Sequence, residues 1–315
     1  VSSGAITRAF GIVSASEFGL PLPGEGDTIG RFRQLADLTR SDIAVGRMVE
    51  AHCDAAAILH ELDGPPMGPG ELWGVWAAEP PAPLVTAQIE SGIWTLTGTK
   101  VWCSGASGCT HALVTARADG CRRLFAVDLR QSGVHPSAVE WCNRGMAETN
   151  TAAVEFVDVE ARPVGEPGGY LDRAGFWHGG VGVAACWFGG AAKVAQALYR
   201  KTRSDSDDIT LMHLGAVDAQ LATGWAELAQ AAADIDKKPG DLADARRRAF
   251  RVRWSIEQIA AGVLDRVARA LGPAPLVGNP DHAQAVADLS IYIRQSHADR
   301  DLVELGRLAA GEDAR

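Results

Sequence analysis

One change of hydrophobic period constrains the fold of this chain more than any other feature. Between residues 73 and 165 the apolar residues come in short runs: "LWGVWAA", "LVTAQIE", "IWTLTG", "KVWCSG", "HALVTAR", "RRLFAVDL" and "AAVEFVDVEA". Turn residues interrupt them roughly every 8 to 15 positions, which is the rhythm of a small all-β sandwich or barrel. On both sides of this region the period is helical.

On the N-terminal side, Leu35, Leu38, Ile43, Val45, Val49, Ala56 and Leu59 recur at helical spacing between Gly30 and Leu62. A break near Ser41 splits this stretch into two helices, with Ser41-Asp42 capping the second. "DGPPMGPG" then ends it. On the C-terminal side four long helical segments follow, starting at Gly175, Ile209, Leu242 and Pro280 and separated by "TRSDSDD", "KKPGD" and "GPAPLVGN". Short connections between long helices predict an antiparallel bundle. The expected fold class is α+β and multidomain: a shortened N-terminal helical region over 1–72, a central β-sandwich or barrel over 73–165, and a C-terminal four-helix bundle over 166–315.

The formal net charge of −9 argues against nucleic-acid binding, which needs a basic footprint. The six cysteines, Cys53, Cys103, Cys109, Cys121, Cys142 and Cys186, form no C-x-x-C pair. No zinc site is expected, and the scattered thiols fit a reduced, cytoplasmic protein. No stretch of 18 apolar residues and no basic-then-apolar leader is read, so neither a membrane span nor a signal peptide is expected.

Residues 94–107, "WTLTGTKVWCSGAS", pose a specific question. Trp94, Leu96 and Thr97-Gly98-Thr99 read as a hairpin strand and its turn. The next strand places Trp102 beside Cys103 and Ser104 and then collapses to Gly105-Ala106-Ser107. Local spacing alone reads as a buried Trp followed by a turn serine in a β core.

This stretch resembles the central β segment of the acyl-CoA dehydrogenase family through Trp94, Leu96, Gly98, Lys100, Trp102, Ser104, Ala116 and Arg117. Upstream, Glu79 and Pro80 match the family's Thr-Glu-Pro run, with Ala78 in the threonine position. Downstream, Gly145, Met146, Thr149, Thr151, Val154, Phe156, Asp158 and Val159 are similar to its next motif. The resemblance implies a flavoprotein oxidoreductase that binds FAD, with Trp76, Ala78, Trp102, Cys103 and Ser104 at the cofactor. It also implies a small-molecule or acyl-thioester substrate and a homodimer or homotetramer.

The departures from the pattern are as informative. The family's catalytic glutamate, registered through Asp288, falls on Ser296, and the neighbouring glycine falls on His297. The alternative base position, in "FWHGGVGVAACWFGG", holds no carboxylate. "GVGVAA" there is formally G-x-G-x-x-A, but no strand leads into it, so its glycines are read as helix-packing residues. The Arg-x-x-Phe-Gly motif for the pyrophosphate is replaced by "RKTRSDSDDITLMH", where Arg200, Lys201 and Arg203 meet Asp205, Asp207 and Asp208. The glycine turn reads "LGPAPLVG", whose prolines remove backbone donors. The expectation is therefore an acyl-CoA dehydrogenase-like flavoprotein with an altered or lost base, FAD bound weakly, and His297 the one candidate catalytic side chain. The alternatives are a non-catalytic structural or heteromeric subunit, or a flavin-dependent monooxygenase on the same fold.

Overall fold

The computed structural model describes residues 4–82, 84–138 and 141–311, and the chain divides into two compact units. The first comprises Val1–Leu20, Arg47–Cys142 and Ala147–Phe176; the second comprises Pro21–Gly46, Asn143–Met146 and Trp177–Arg315.

The first unit is built on seven strands: β1 (Trp73–Trp76), β2 (Val85–Glu90), β3 (Ile93–Cys103), β4 (His111–Ala118), β5 (Cys121–Asp128), β6 (Val134–Pro136) and β7 (Ala152–Val164). β2 pairs β3, β3 pairs β7, β7 pairs β5, β5 pairs β4, and β4 returns to β2, so the sheet closes on itself. β1 lies parallel to β4, and β6 adds to β7. Alternation sorts the side chains. Ala112, Val114, Ala116, Phe125, Val127, Val154 and Phe156 fill the interior, while Leu113, Leu124 and Ala126 face outward against Ala55, Ile58 and Leu59 of a helix.

The sequence places a turn at Thr97-Gly98-Thr99, and the structure corrects it. β3 runs unbroken through that point: Gly98 has φ +125 and sits where the register against β7 shifts, the extra residue lying in β7, where Asp158 has φ +51. A Cβ at Gly98 would lie 2.3 Å from the Leu84 carbonyl oxygen, so only glycine fits. The true β2–β3 turn is Ser91-Gly92, both at positive φ, between the paired Glu90 and Ile93. The short β6 was also not read from sequence.

The N-terminal region is richer than expected. It holds α1 (Gly4–Val13), α2 (Thr28–Ser41) and α3 (Ile43–Glu61), where the sequence showed only the last two. Their break falls at Asp42, whose carboxylate accepts from the Val45 amide at 3.0 Å.

The second unit contains α2 and the helices α4 (Ala174–Lys201, from Trp177 onward), α5 (Asp208–Lys237), α6 (Leu242–Leu271), α7 (Ala274–Gly278), α8 (Pro280–Tyr292) and α9 (Asp299–Ala310). By length and composition α4 is apolar enough to cross a membrane, but 67% of its most apolar window is buried. It is a core helix: Trp187, Ala191, Val194, Ala195 and Leu198 are fully buried. Close approach to α2 is required at Gly189, where a Cβ would meet the Ala36 carbonyl oxygen at 2.2 Å. At Gly180 and Gly182 of "GVGVAA" a Cβ would make ordinary contacts, so those two glycines are not what packing demands.

The predicted fourth bundle helix is two helices. α8 ends at Tyr292, a short 3-10 turn covers Ile293–Gln295, and α9 starts at Asp299.

Candidate functional site

The end of β3 resolves the question posed by "VWCSGAS". Strict alternation from Leu96 and Lys100, both buried, would turn Trp102 into the barrel. A register shift between Lys100 and Cys103 prevents this. Trp102 takes φ +61 and is 65% exposed, and Cys103 takes the interior position instead. A left-handed backbone at a bulky aromatic is a strained state that persists only when its surroundings over-determine it.

Those surroundings are the loop beyond. The Trp76 indole N–H donates to the Ser104 carbonyl at 3.0 Å. The Gly105 amide donates to the Thr149 carbonyl at 2.8 Å, and the Ala106 amide to the Asn150 carbonyl at 3.2 Å. The Ser107 amide reaches the Asn150 side chain at 3.0 Å. Ser104 Oγ lies 3.1 Å from Thr151 Oγ1, which lies 2.9 Å from Thr149 Oγ1. Gly105 has φ +74, and a Cβ there would strike Cys109 Sγ and Met48 Cε.

The five residues expected at a cofactor thus divide by role. Trp102 and Ala78 are exposed, Ser104 is buried beside Trp102, and Trp76 and Cys103 turn their side chains inward. The Cys103 thiol donates to the Lys100 carbonyl at 3.3 Å, and burial pushes its pKa well up. Burial likewise raises Cys109 to about 12. Neither is a nucleophile at neutral pH.

Glu79, Lys100 and Arg117 were noted separately in the sequence, and the fold brings them together. The Glu79 carboxylate, 6% exposed, pairs with Arg122 at 2.8 Å and Arg117 at 3.2 Å. Lys100 Nζ donates to the Thr115 carbonyl at 2.8 Å and hydroxyl at 2.7 Å. Burial acts to raise the Glu79 pKa, but hydrogen bonds from Arg122 and Thr115 and the nearby cations outweigh it and the net shift is downward. Burial lowers Lys100 to about 8, against the pull of Glu79 and with the help of Arg122 and Arg117. Ala78, Glu79, Lys100, Thr115 and Arg117 line a cavity of about 10 Å³, room for one water. This cluster is a charge network with a buried carboxylate and ammonium and two partly exposed arginines, with no space for a substrate in its cavity. Sequence reasoning missed Arg122 and Thr115, which belong to no motif and join only through β4–β5 pairing.

The second unit holds the remaining candidates. His297 lies between α8 and α9, its side chain 73% exposed and its Nδ1 3.4 Å from Asp301. It is not on a continuing helix, as the sequence had suggested. Ser296 is extended, and its hydroxyl accepts from the Ala298 amide at 3.1 Å. Asp288, used to set that register, is buried and structural: it accepts from the Met146 amide at 2.6 Å and from Gln284 at 2.8 Å. His178 is buried with Nε2 at 2.8 Å from the Pro239 carbonyl. In the first unit, His52 Nδ1 accepts from the Trp73 amide at 3.3 Å, and burial lowers its pKa to about 4.

The basic loop after α4 is occupied with its own structure. Arg203 Nη1 donates to the Arg200 and Thr202 carbonyls, and Arg200 to Gln196. Asp207 caps α5 through Thr210. The former glycine turn has become α7. Among the described residues no cluster of metal-ligating side chains is present.

No protein-family profile matches the chain, and no curated protein sequence matches it. Solved structures match its fold. Glutaryl-CoA dehydrogenase from Mycobacterium smegmatis in complex with FADH2 gives a TM-score of 0.82 at 14% identity, over 97% of this chain and 86% of that one. TdsC from Paenibacillus sp. A11-2 with FMN and indole gives 0.79 at 17% identity, over 90% and 84%. KijD3 with FMN and dTDP-3-amino-2,3,6-trideoxy-4-keto-3-methyl-D-glucose gives 0.77 at 18% identity, over 90% and 79%. The chain has the acyl-CoA dehydrogenase fold.

Proposed function

We propose that this protein is a flavin-dependent oxidoreductase whose isoalloxazine site is the end of β3, and that it has lost the base used to deprotonate acyl thioesters. The observation behind this reading is Trp102, an exposed aromatic at a left-handed φ, followed by a loop of small residues whose amides at 105–107 are hydrogen-bonded to Thr149 and Asn150. Strain of that kind collects at binding sites. The side chains at the end of β3 fit the ring: an exposed aromatic at Trp102, a hydroxyl at Ser104, and a following loop of small residues. A bound flavin supplies hydride or oxygen chemistry; the chain supplies the ring's orientation and its hydrogen bonds. FMN in TdsC and KijD3, and FADH2 in glutaryl-CoA dehydrogenase, support the assignment.

For the diphosphate and adenine half of FAD the two arginines around the end of α4 are already committed. Arg200 and Arg203 are engaged with their own helix end, and Asp207 with α5. FMN and FAD are therefore expected to bind alike.

A monooxygenase reaction is favoured over acyl-CoA dehydrogenation by two observations: Ser296, half-buried and extended between helices, is no base, and no carboxylate occupies the segment around Gly180. Removing a weakly acidic α-proton needs a positioned base, typically contributing about 10²–10⁴-fold. We read the protein as a cytoplasmic homodimer, the exposed Tyr199, Ile209 and Met212 being candidates for the contact; sedimentation at micromolar concentration tests this.

The deciding experiment is titration of the purified protein with FMN and with FAD, followed by visible absorption. Saturable perturbation of both spectra supports the reading, and no perturbation by either overturns it. Anaerobic mixing of the loaded protein with acyl-CoAs should leave the flavin oxidised. Oxygen uptake with reduced FMN and an oxidisable acceptor would select the monooxygenase reaction.

A further inference from the structure

We infer that Thr151 is a positioning residue for Ser104, fixing its hydroxyl as a hydrogen-bond donor to the flavin; this rests on the flavin reading above. Both backbone groups flanking the Ser104 side chain are already committed, its carbonyl to the Trp76 indole and the following amide to the Thr149 carbonyl. The remaining freedom of Ser104 is rotation about χ1. Thr151 Oγ1, at 3.1 Å, holds that rotation, and Thr149 Oγ1, at 2.9 Å, holds Thr151 in turn.

Three hydroxyls in a row have two possible senses, because each O–H donates once. Running outward from Thr149 through Thr151, the chain satisfies Ser104 as an acceptor and leaves its proton for a ligand. Running inward, Ser104 spends its proton on Thr151. An acceptor atom on the ring edge selects the outward sense, and each link then polarises the next. Thr149 is 1% exposed and Ser104 8%, with Thr151 half-buried between them, so water competes little at the two ends of the row. Thr149 and Thr151 stand in the motif before β7, and the fold places them beside β3.

The test is a double-mutant cycle read by FMN titration. Thr151→Val keeps the shape and removes the hydroxyl; Thr151→Ser keeps the hydroxyl. Thr151→Val is expected to weaken FMN about tenfold, the loss of roughly one hydrogen bond, and to shift the bound-flavin absorption band. Thr151→Ser should stay within about twofold of wild type. In a Ser104→Ala background, Thr151→Val should have no further effect, since its action runs through Ser104. Wild-type affinity and spectrum in Thr151→Val, or losses that simply add in the double variant, would overturn the inference while leaving the flavin reading intact. A wild-type protein that leaves the FMN spectrum unchanged overturns both. Thermal melts of each variant separate loss of fold from loss of binding, and Thr151→Ser carries the comparison if Thr151→Val melts early.

Discussion

Of the eight described residues other than glycine that take a positive φ, two stand where a motif of the sequence ends: Trp102 at the end of β3, with φ +61, and Ala298 between α8 and α9, with φ +46. At Trp102 the following loop is tied to two other segments by the Trp76 indole, the Thr149 and Asn150 carbonyls and a line of hydroxyls. At Ala298 the bonds are local and exposed: Ser296 Oγ to its amide, and the Arg300 amide to the His297 carbonyl. Strain that distant segments enforce marks a place where the chain is made to present something. Strain held by neighbours alone is a surface turn. The comparison separates Trp102 and Ser104 from Ser296 and His297, although both pairs fall on motif positions.

The largest effect that can break this comparison is at Gly105. Gly105→Ala should destabilise the protein by about 2–4 kcal/mol, combining a left-handed alanine with overpacking against Cys109 and Met48. A loss under about 1 kcal/mol in chemical denaturation would show that the loop is not held as described.

Next comes the charge beneath the strand. Lys100 titrates near 8 in the folded protein and near 10.5 when exposed. Between those values the unfolded chain holds a proton that the folded one has released, so stability rises with pH; below pH 8 both carry the proton and the folded state bears the full burial penalty. The rise amounts to about 3 kcal/mol between pH 8 and 10.5. Lys100→Met should lack it, and Glu79 should remain paired with Arg117 and Arg122. Parallel stability–pH curves for the two proteins would refute the assignment.

At the helix break the effects are smaller and of opposite sign. Ala298→Gly should stabilise by roughly 1 kcal/mol, since relief of the left-handed strain exceeds glycine's entropy cost. The smallest effect is expected at His297. With its ring exposed, His297→Ala should change stability by less than about 0.5 kcal/mol and leave FMN affinity unaltered. A marked loss of affinity or turnover would return His297 to the site.

Much of this was legible in the sequence. The strand rhythm from 73 to 165, the Asp42 helix break and the "VWCSGAS" ending each arise from local period and residue size, which sequence displays. The turn wrongly placed at Thr97–Thr99 shows the limit. A turn and a close backbone approach within a strand both recruit glycine; what distinguishes them is the Leu84 carbonyl against Gly98, a contact from the segment leading into β2. Arg122 and Thr115 were invisible as partners of Glu79 for the same reason. The break after Tyr292 was missed because "IRQSHADRD" contains neither proline nor glycine, and α1 because its ten residues were too few to establish a period.

The closure of the barrel has a consequence in time as well as in space. β2 and β3 are joined by a two-residue turn and can meet early, but β3 must wait for β7, which lies beyond β4, β5 and β6 in the chain. Bringing such distant segments together requires closing a long loop before any contact rewards it, which places the step late on the folding route. The Thr149–Thr151 segment that pins the Ser104 loop arrives with β7. The β3 ending therefore acquires its shape only as the ring of strands shuts, and in a newly made chain the proposed flavin site is absent until that last pairing is complete.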